Sequence, residues 1–481
     1  MNALQAHLDS AHSERFEQLD NMPQRTLDTV WWPFVQHGTV KKEDVMVIDS
    51  AFSDNFSVYA PPSSTSTNSL EHRFDGSASW WTQTLGHAHP ELTLAAAHAA
   101  GRYGHVMFPK ATHLPALQLA ERLVHDGPGK GWASRAFFSD NGSTGMEVAL
   151  KMALRAYVSR HGPKDNLGVL GLVGSYHGDT IGAMNACQKG VYTCEWHDAR
   201  GYWLDAPTVA IRDAKVVVSL PESMASEYPN VESLTFDSPE VEMGLGQVYA
   251  VEERLQSDLA KFYAQYIRSQ ISSLKARGDI ELAALVLEPV VMGAGGMLFV
   301  DPLFQRILVD VVRGPDPRPT HQDWSGLPVI FDEVFVGLYR LGVESTTSIL
   351  GVQPDIAAYA KILTGGLLPL CVTLASNPIF QAFWSENKTE ALLHGHSYTA
   401  HPIGCAVANK TLDLIEDLTK SEGWAEAKGQ WVHNGEESTS TWSFWDPRFV
   451  QEMSKASVVE EVMTMGTVLA IKVKDSGGNG D

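Results

Sequence analysis

Leu327-Pro-Val-Ile-Phe-Asp332-Glu-Val334 and, with its lysine 29 residues beyond Asp332, Ala360-Lys361-Ile-Leu-Thr-Gly-Gly366 are the stretches that decide how this chain folds. The first is a short apolar run ending in an acid, the pattern of a buried strand that delivers a carboxylate to the edge of a sheet. The second sets a lysine among apolar residues and follows it with a glycine turn. A lysine that loses hydration has its pKa lowered and becomes a nucleophile toward carbonyl groups. An acid paired with such a lysine is the minimum that pyridoxal phosphate (PLP) needs: the acid keeps the pyridine nitrogen protonated and the lysine carries the aldehyde. Each feature is common on its own, so the other motifs decide the matter.

The chain has 481 residues, long enough for two or three domains, and its 44% apolar content is ordinary for a globular protein. No stretch of 18 uncharged apolar residues occurs, so no membrane-spanning helix is expected. The run from Leu282 to Val300 contains Glu288 and reads as strand plus loop. A formal charge of −21 argues against a nucleic-acid or anionic-membrane surface. The four cysteines, Cys187, Cys194, Cys371 and Cys405, are scattered and suit a reducing compartment. Met1 to Asp20 holds four acids, one arginine and no lysine, so no targeting segment is visible.

Residues 1–29 read as a polar helix and linker. Residues 30–100 mix short strands with a Pro-Pro-Ser-Ser loop at 61–64. From 134 onward strand-like and helical runs alternate: strands at 136–138, 167–173, 283–287, 329–331, 356–359 and 369–375, helices at 143–161, 302–313 and 406–418. This alternation predicts a mostly parallel sheet covered by helices. Thr144-x-x-Glu147 reads as a capping box, and Asp301-Pro302 as a cap followed by proline at the first helical position. Residues 188–250 show no period and read as a long surface insertion before one helix at 251–277. A polar stretch fills 436–441.

Further segments bear on the chemistry. Ser139-Asp-Asn-Gly142-Ser143-Thr144 follows a strand and opens a helix, where free N–H groups can hold a phosphate. Gly174-Ser-Tyr176-His177-Gly178-Asp179-Thr180 also follows a strand; Tyr176 could stack on a planar cofactor and Asp179 could orient it. His394-Gly395-His396-Ser397-Tyr398-Thr399-Ala-His401 has a zinc-like spacing, but no third ligand motif accompanies it, so it reads as a loop offering Ser397 to a phosphate and no metal site is expected. His87-x-His89-Pro90 reads as a structural loop. Trp31-Trp32-Pro33-Phe34 and Ser79-Trp80-Trp81 supply aromatic surface, either as core or as the wall of an apolar substrate slot.

Taken in order over roughly residues 30 to 420, these segments resemble the class III PLP-dependent aminotransferases, of fold type I. The resemblance rests on the Asn-Gly-Ser turn, Tyr-His-Gly, Glu288-Pro with Gly293-Ala-Gly-Gly296, Asp332-Glu-Val and Lys-x-Leu-Thr-Gly-Gly. Within the class the chain looks most like the 7,8-diaminononanoate synthases of biotin synthesis, through Trp-x-Pro-aromatic at 31–34, Ser79-Trp80-Trp81, Asp179 after Tyr176-His-Gly, and His105-Val-Met-Phe108. The His-Gly-His-Ser-Tyr loop resembles the eukaryotic form, which is commonly fused behind a dethiobiotin synthetase domain.

The resemblance implies an α/β fold: a mostly parallel central sheet in a large domain, plus a smaller α+β domain built from both chain ends. The expected division is an N-terminal helix and linker at 1–29, a small-domain segment at 30–100, the large PLP-binding domain at 101–390 with the 188–250 insertion, and a small-domain segment at 391–481. It implies that Lys361 holds the cofactor and shuttles a proton, and that Asp332 pairs with the pyridine nitrogen. Gly142 and Ser143 would bind the phosphate from one subunit of a homodimer with shared active sites, Ser397 with His396 from the other. Tyr176, Asp179 and Glu288 would lie around the cofactor. Phe34, Trp80, Tyr176, Arg340 and Gly395 would line the site of small-molecule substrates, S-adenosylmethionine and 8-amino-7-oxononanoate. Phe34 stands where bacterial relatives have tyrosine. The alternatives are another class III transaminase, acting on an ω-amino acid or diamine, and a PLP-fold protein with little activity. The family implies a mitochondrial location, with the cytosol as the alternative. The family's carboxylate-holding arginine, in an Arg-Pro-x-Gly segment, is not found before Asp481. From that the expectation is poor substrate handling, an open sheet edge, and Val468, Leu469 and Ile471 left uncovered.

Overall fold

A computed structural model describes residues 2–62, 68–190, 193–225, 240–314, 326–432 and 441–474. The chain forms two compact units, one of Met1–Ala95 with Gly365–Leu367 and one of Ala96–Thr364 with Leu368–Asp481.

The larger unit is built on a seven-stranded sheet. Its strands, in chain order, are β1 (Ala133–Ser139), β2 (Leu167–Leu172), β3 (Gly201–Leu204), β4 (Glu281–Leu287), β5 (Val329–Asp332), β6 (Ile356–Tyr359) and β7 (Cys371–Ser376). The spatial order is β1-β7-β6-β5-β4-β2-β3. Only β7 runs against its neighbours; β3, β2, β4, β5 and β6 pair in parallel. Every residue of β5, β6 and β7 is buried. That is why these strands read as unbroken apolar runs rather than as alternating ones: helices cover both faces of a parallel sheet. The Gly142–His161 helix packs Met146, Ala149 and Ala153 on Ile330, Ile356 and Ala358. It lies so close to β7 that a Cβ at Gly145 would sit 2.3 Å from the Cys371 sulfur. The parallel strands end along one edge, so the residues that follow them converge there.

The polypeptide differs from the sequence-based expectation in four places. The predicted capping box at Thr144 is replaced by an Asn141 cap, whose side chain accepts from the Thr144 N–H at 3.0 Å. Asparagine caps more strongly than threonine, and Glu147 turns to other partners. The expected helix at 251–277 is two pieces, Val251–Arg254 and Asp258–Arg277, because Ser257 caps the second by accepting from the Ala260 N–H. Residues 188–250 are not a surface insertion throughout: Gly201–Leu204 is β3, and Thr208–Arg212, Lys215–Ser219 and Glu240–Glu242 join Val459–Met465 and Val468–Val473 in a five-stranded sheet. Their periodicity is hidden by charged residues that pair across strands, Arg212 with Glu461 at 2.6 Å and Lys215 with Glu242 at 2.8 Å. Val468–Val473 is an edge strand of that sheet; Val468 is buried, contrary to expectation, while Ile471 is exposed. The Asp301 cap with Pro302 occurs as expected. The Pro-Pro-Ser-Ser loop lies partly, and the polar stretch at 436–441 almost wholly, outside the described residues.

The smaller unit carries the Asn2–Thr29 helix and a three-stranded antiparallel sheet, Ile48–Phe52, Asn55–Ala60 and Ser69–Phe74. Phe16 and Leu19 of the helix bury against Val47 and Tyr59, and the Tyr59 hydroxyl reaches Asp20 at 3.2 Å. Among the described residues, no helix is long and apolar enough to cross a membrane.

Candidate active site

Lys361 begins a short 3-10 turn two residues after the end of β6, with φ +48°. A left-handed backbone at a non-glycine residue is strained by on the order of 1 kcal/mol, and such strain gathers at functional sites. The ammonium lies 5.5 Å from the centroid of the Phe335 ring. Burial lowers the Lys361 pKa below its usual value, and Asp332 and Glu288 pull it partly back up. The lysine is therefore poised between a desolvated amine and an ion held by two carboxyl groups.

Asp332 ends β5 at the same sheet edge and is buried. One carboxylate oxygen accepts from the Val334 N–H at 3.1 Å, and the other lies 2.8 Å from His177 Nδ1. His177 is brought in by the turn after β2, across 155 residues of chain. Its Nε2 is buried with no hydrogen-bond partner among the described residues. Sequence reasoning quoted His177 within its motif but gave it no role; a histidine in a turn at a strand's carboxyl end was the available signal. Glu288 follows β4 and accepts from the Tyr176 N–H at 2.8 Å and the Gly293 N–H at 2.9 Å. It ties the two turns together. Burial raises its pKa, opposed by His177 and reinforced by Asp332.

Gly142 and Ser143 open the helix after β1. Helix geometry leaves the first N–H groups without intrahelical partners, and the macrodipole favours an anion there. The Ser143 hydroxyl is engaged elsewhere, donating to Thr180 Oγ1 at 3.0 Å. What this turn offers an anion is its backbone N–H groups. The Tyr176 hydroxyl donates to Asp179 at 2.7 Å, and burial drives the phenol pKa up. Both residues line a cavity of about 510 Å³ with Met184, Cys187, Gln188 and Gly295.

Arg340 is buried in the turn after β5, and burial lowers its pKa to about 10. Its guanidinium carbon lies 5.8 Å from the centroid of the same Phe335 ring that faces Lys361. The Thr467 N–H and hydroxyl both donate to the Arg340 carbonyl, at 3.0 and 3.1 Å. His396 closes a turn on Thr399, and the adjacent Ser397 and Gly395 are exposed. That loop packs beside 105–113: His105 and Tyr398 have ring centroids 4.7 Å apart, and His113 reaches the Ala400 carbonyl at 2.8 Å.

Phe34 and Trp80 belong to the smaller unit. Their rings are 6.0 Å apart and both are exposed, so within that unit they are not core. Trp80 sits in a left-handed turn in which Ala78, Ser79, Trp80 and Trp81 all have φ between 47° and 61°. Asp75 anchors this turn through the Ser79 hydroxyl at 2.8 Å, the Ser77 hydroxyl at 3.2 Å and His87 Nε2 at 2.9 Å. His87 is thus an anchor for the turn.

The class III aminotransferase family model matches residues 71–227 and 233–478. The chain is 46% identical to a bifunctional dethiobiotin synthetase/adenosylmethionine-8-amino-7-oxononanoate aminotransferase of Emericella nidulans, across 98% of this chain and 61% of that protein. It is 42% identical to the mitochondrial bifunctional dethiobiotin synthetase/7,8-diamino-pelargonic acid aminotransferase of Oryza sativa, across 99% of this chain and 56% of that protein. The chain therefore spans about three-fifths of the length of these relatives. Among solved structures, an (S)-enantioselective ω-transaminase from Thermomicrobium roseum superposes with a TM-score of 0.68 at 23% identity, covering 94% of this chain and 83% of that one. The adenosylmethionine-8-amino-7-oxononanoate aminotransferase of Methanocaldococcus jannaschii superposes with a TM-score of 0.64 at 20% identity, covering 94% and 84%. These superpositions establish the fold-type-I α/β architecture.

Proposed function

The chain belongs to the class III aminotransferases, and from that premise we propose that it moves an amino group from S-adenosylmethionine to 8-amino-7-oxononanoate, giving 7,8-diaminononanoate in biotin synthesis. The observation that carries the reading is a desolvated Lys361 at the same sheet edge as a buried Asp332 held by His177. The high similarity to relatives named for this reaction supports the substrates.

The residues fit PLP. Asp332 is an acid in a buried setting, the Gly142–Ser143 helix start suits a phosphate, and Lys361 is an amine whose charge is disfavoured by burial. When bound, PLP would supply the electron sink and carry the amino group between the two substrates. Lys361, once neutral, would hold the cofactor's aldehyde and then move the proton at the donor carbon. Asp332 would keep the pyridine nitrogen protonated, with His177 fixing the carboxylate's orientation. The N–H groups of Gly142 and Ser143 would take the phosphate, joined by Ser397 and His396 of the other subunit of a homodimer. Tyr176 would stack beside the cofactor and Asp179 would set its angle. Glu288 holds the Tyr176 turn to the Gly293 turn and so shapes the site rather than reacting in it. We assign substrate contacts to Phe34, Trp80, Tyr176, Arg340 and Gly395. A mitochondrial location is supported by the label on the rice relative.

The test is amino transfer by the purified chain with PLP, 8-amino-7-oxononanoate and either S-adenosylmethionine or a panel of ω-amino acids and diamines. Diamine product with S-adenosylmethionine is expected. Turnover with the panel alone would replace this reading by another class III transaminase.

A further inference from the structure

We propose that Thr180 and Glu147 position the phosphate-binding turn, an inference that rests on Gly142 and Ser143 holding the phosphate of PLP. The helix that starts at Gly142 and the turn that carries Tyr176 are locked together by three side chains. Thr180 Oγ1 accepts from the Ser143 hydroxyl at 3.0 Å and donates to Glu147 Oε2 at 2.6 Å. The Thr180 N–H donates back to Ser143 Oγ at 3.0 Å, and the Ala183 N–H donates to the same Glu147 oxygen at 3.2 Å. The two backbones touch as well. Gly178 has φ +119°, and a Cβ there would lie 2.6 Å from the Ser143 Cα, so only glycine lets them meet.

The arrangement has a consequence for binding. Ser143 and Glu147 sit on one segment, the helix start whose N–H groups would take the phosphate. Thr180 and Ala183 sit on the other, which also presents Tyr176 and Asp179 to the cavity. The spacing between the phosphate seat and the aromatic seat is therefore fixed by the bridge through Thr180. A bidentate ligand such as PLP, held at its phosphate and at its ring, gains affinity when the two seats are already spaced for it. Thr180 and Glu147 need not touch the cofactor; they are positioning residues.

The test compares Thr180→Val, which keeps the shape and removes the hydroxyl, with Thr180→Ser, which keeps the hydroxyl. The dissociation constant for PLP is measured by fluorescence titration of cofactor-free full chain, beside turnover at saturating PLP and the melting temperature without PLP. Thr180→Val should weaken PLP binding about tenfold, the order of one hydrogen bond within a network. Its turnover at saturation should stay within about twofold of the parent. Thr180→Ser should restore the affinity, and Glu147→Ala should repeat the loss. Parent-like PLP affinity in Thr180→Val would overturn the inference, as would equal losses in the valine and serine variants. A parent chain that does not bind PLP at all would remove the reading on which the inference stands.

Discussion

Lys361 and Asp332 act on one another through charge, and that coupling can be measured. Burial depresses the lysine from its ordinary 10.5, while Asp332 and Glu288 raise it. The neutral amine is the form that captures an aldehyde, so the rate of PLP capture should rise with pH through an inflection below 10.5. Asp332→Asn removes one of the two charges that favour the ammonium. Its inflection should therefore move further down in pH, and a capture profile that stays put would contradict the coupling. The same variant should lower turnover by about one to two orders of magnitude, because a charge-assisted buried hydrogen bond contributes about 1.5–3 kcal/mol. At this scale the placement of the lysine and the acid just at or after strand ends was legible because each sits in a short local pattern. The contact of His177 with Asp332 was not, because the two lie 155 residues apart and only the folded sheet edge joins them. The bond of the Ser143 hydroxyl to Thr180, 37 residues on, was hidden for the same reason.

Among elements, the left-handed turn at Ala78–Trp81 is the most demanding. Each non-glycine residue in that conformation costs about 1–2 kcal/mol, so four of them need strong anchoring. Asp75 supplies it through Ser77, Ser79 and His87. Burial alone would raise the Asp75 pKa, but these bonds outweigh it and hold the carboxyl below its usual range. Asp75→Ala should let the turn relax to ordinary right-handed or extended geometry, seen as a changed near-ultraviolet circular dichroism of Trp80 and Trp81. An unchanged tryptophan signal would mean the turn holds without its anchor. Nothing in Ser77-Ala-Ser-Trp-Trp81 announces a left-handed path, since no glycine or asparagine stands in it. Buried strands such as β5 and β6 were legible because their apolar runs are continuous. Thr208–Arg212 and Lys215–Ser219 were not, because Arg212 and Lys215 break their apolar runs and make sense only once Glu461, Glu240 and Glu242 lie opposite. The Thr144 capping box failed because Asn141, three residues earlier, is the stronger cap.

At the scale of the whole molecule, the larger unit leaves apolar side chains exposed on two adjoining loops and on the Leu114–Glu121 helix that follows one of them. Met107 is 73% exposed and Tyr398 60%, with Val106, Leu114, Leu117 and Leu393 also open, and the contacts of His105 with Tyr398 and of His113 with Ala400 join the two loops. Such a surface is expected to be covered by a second copy, which would also bring Ser397 to the neighbouring phosphate. Light scattering on the purified chain should give a dimer, and Met107→Glu should weaken it together with turnover. A fully active monomer would contradict shared active sites. The two-unit division could not be drawn from composition, because Gly365–Leu367 belongs with the N-terminal unit while Lys361, four residues before, belongs with the other. The central assignment is tested most directly by covalent trapping. The chain is incubated with PLP, reduced with borohydride and digested, and the peptides are sequenced by mass spectrometry. The adduct is expected on the peptide containing Lys361; an adduct on any other lysine, or none at all, would contradict it.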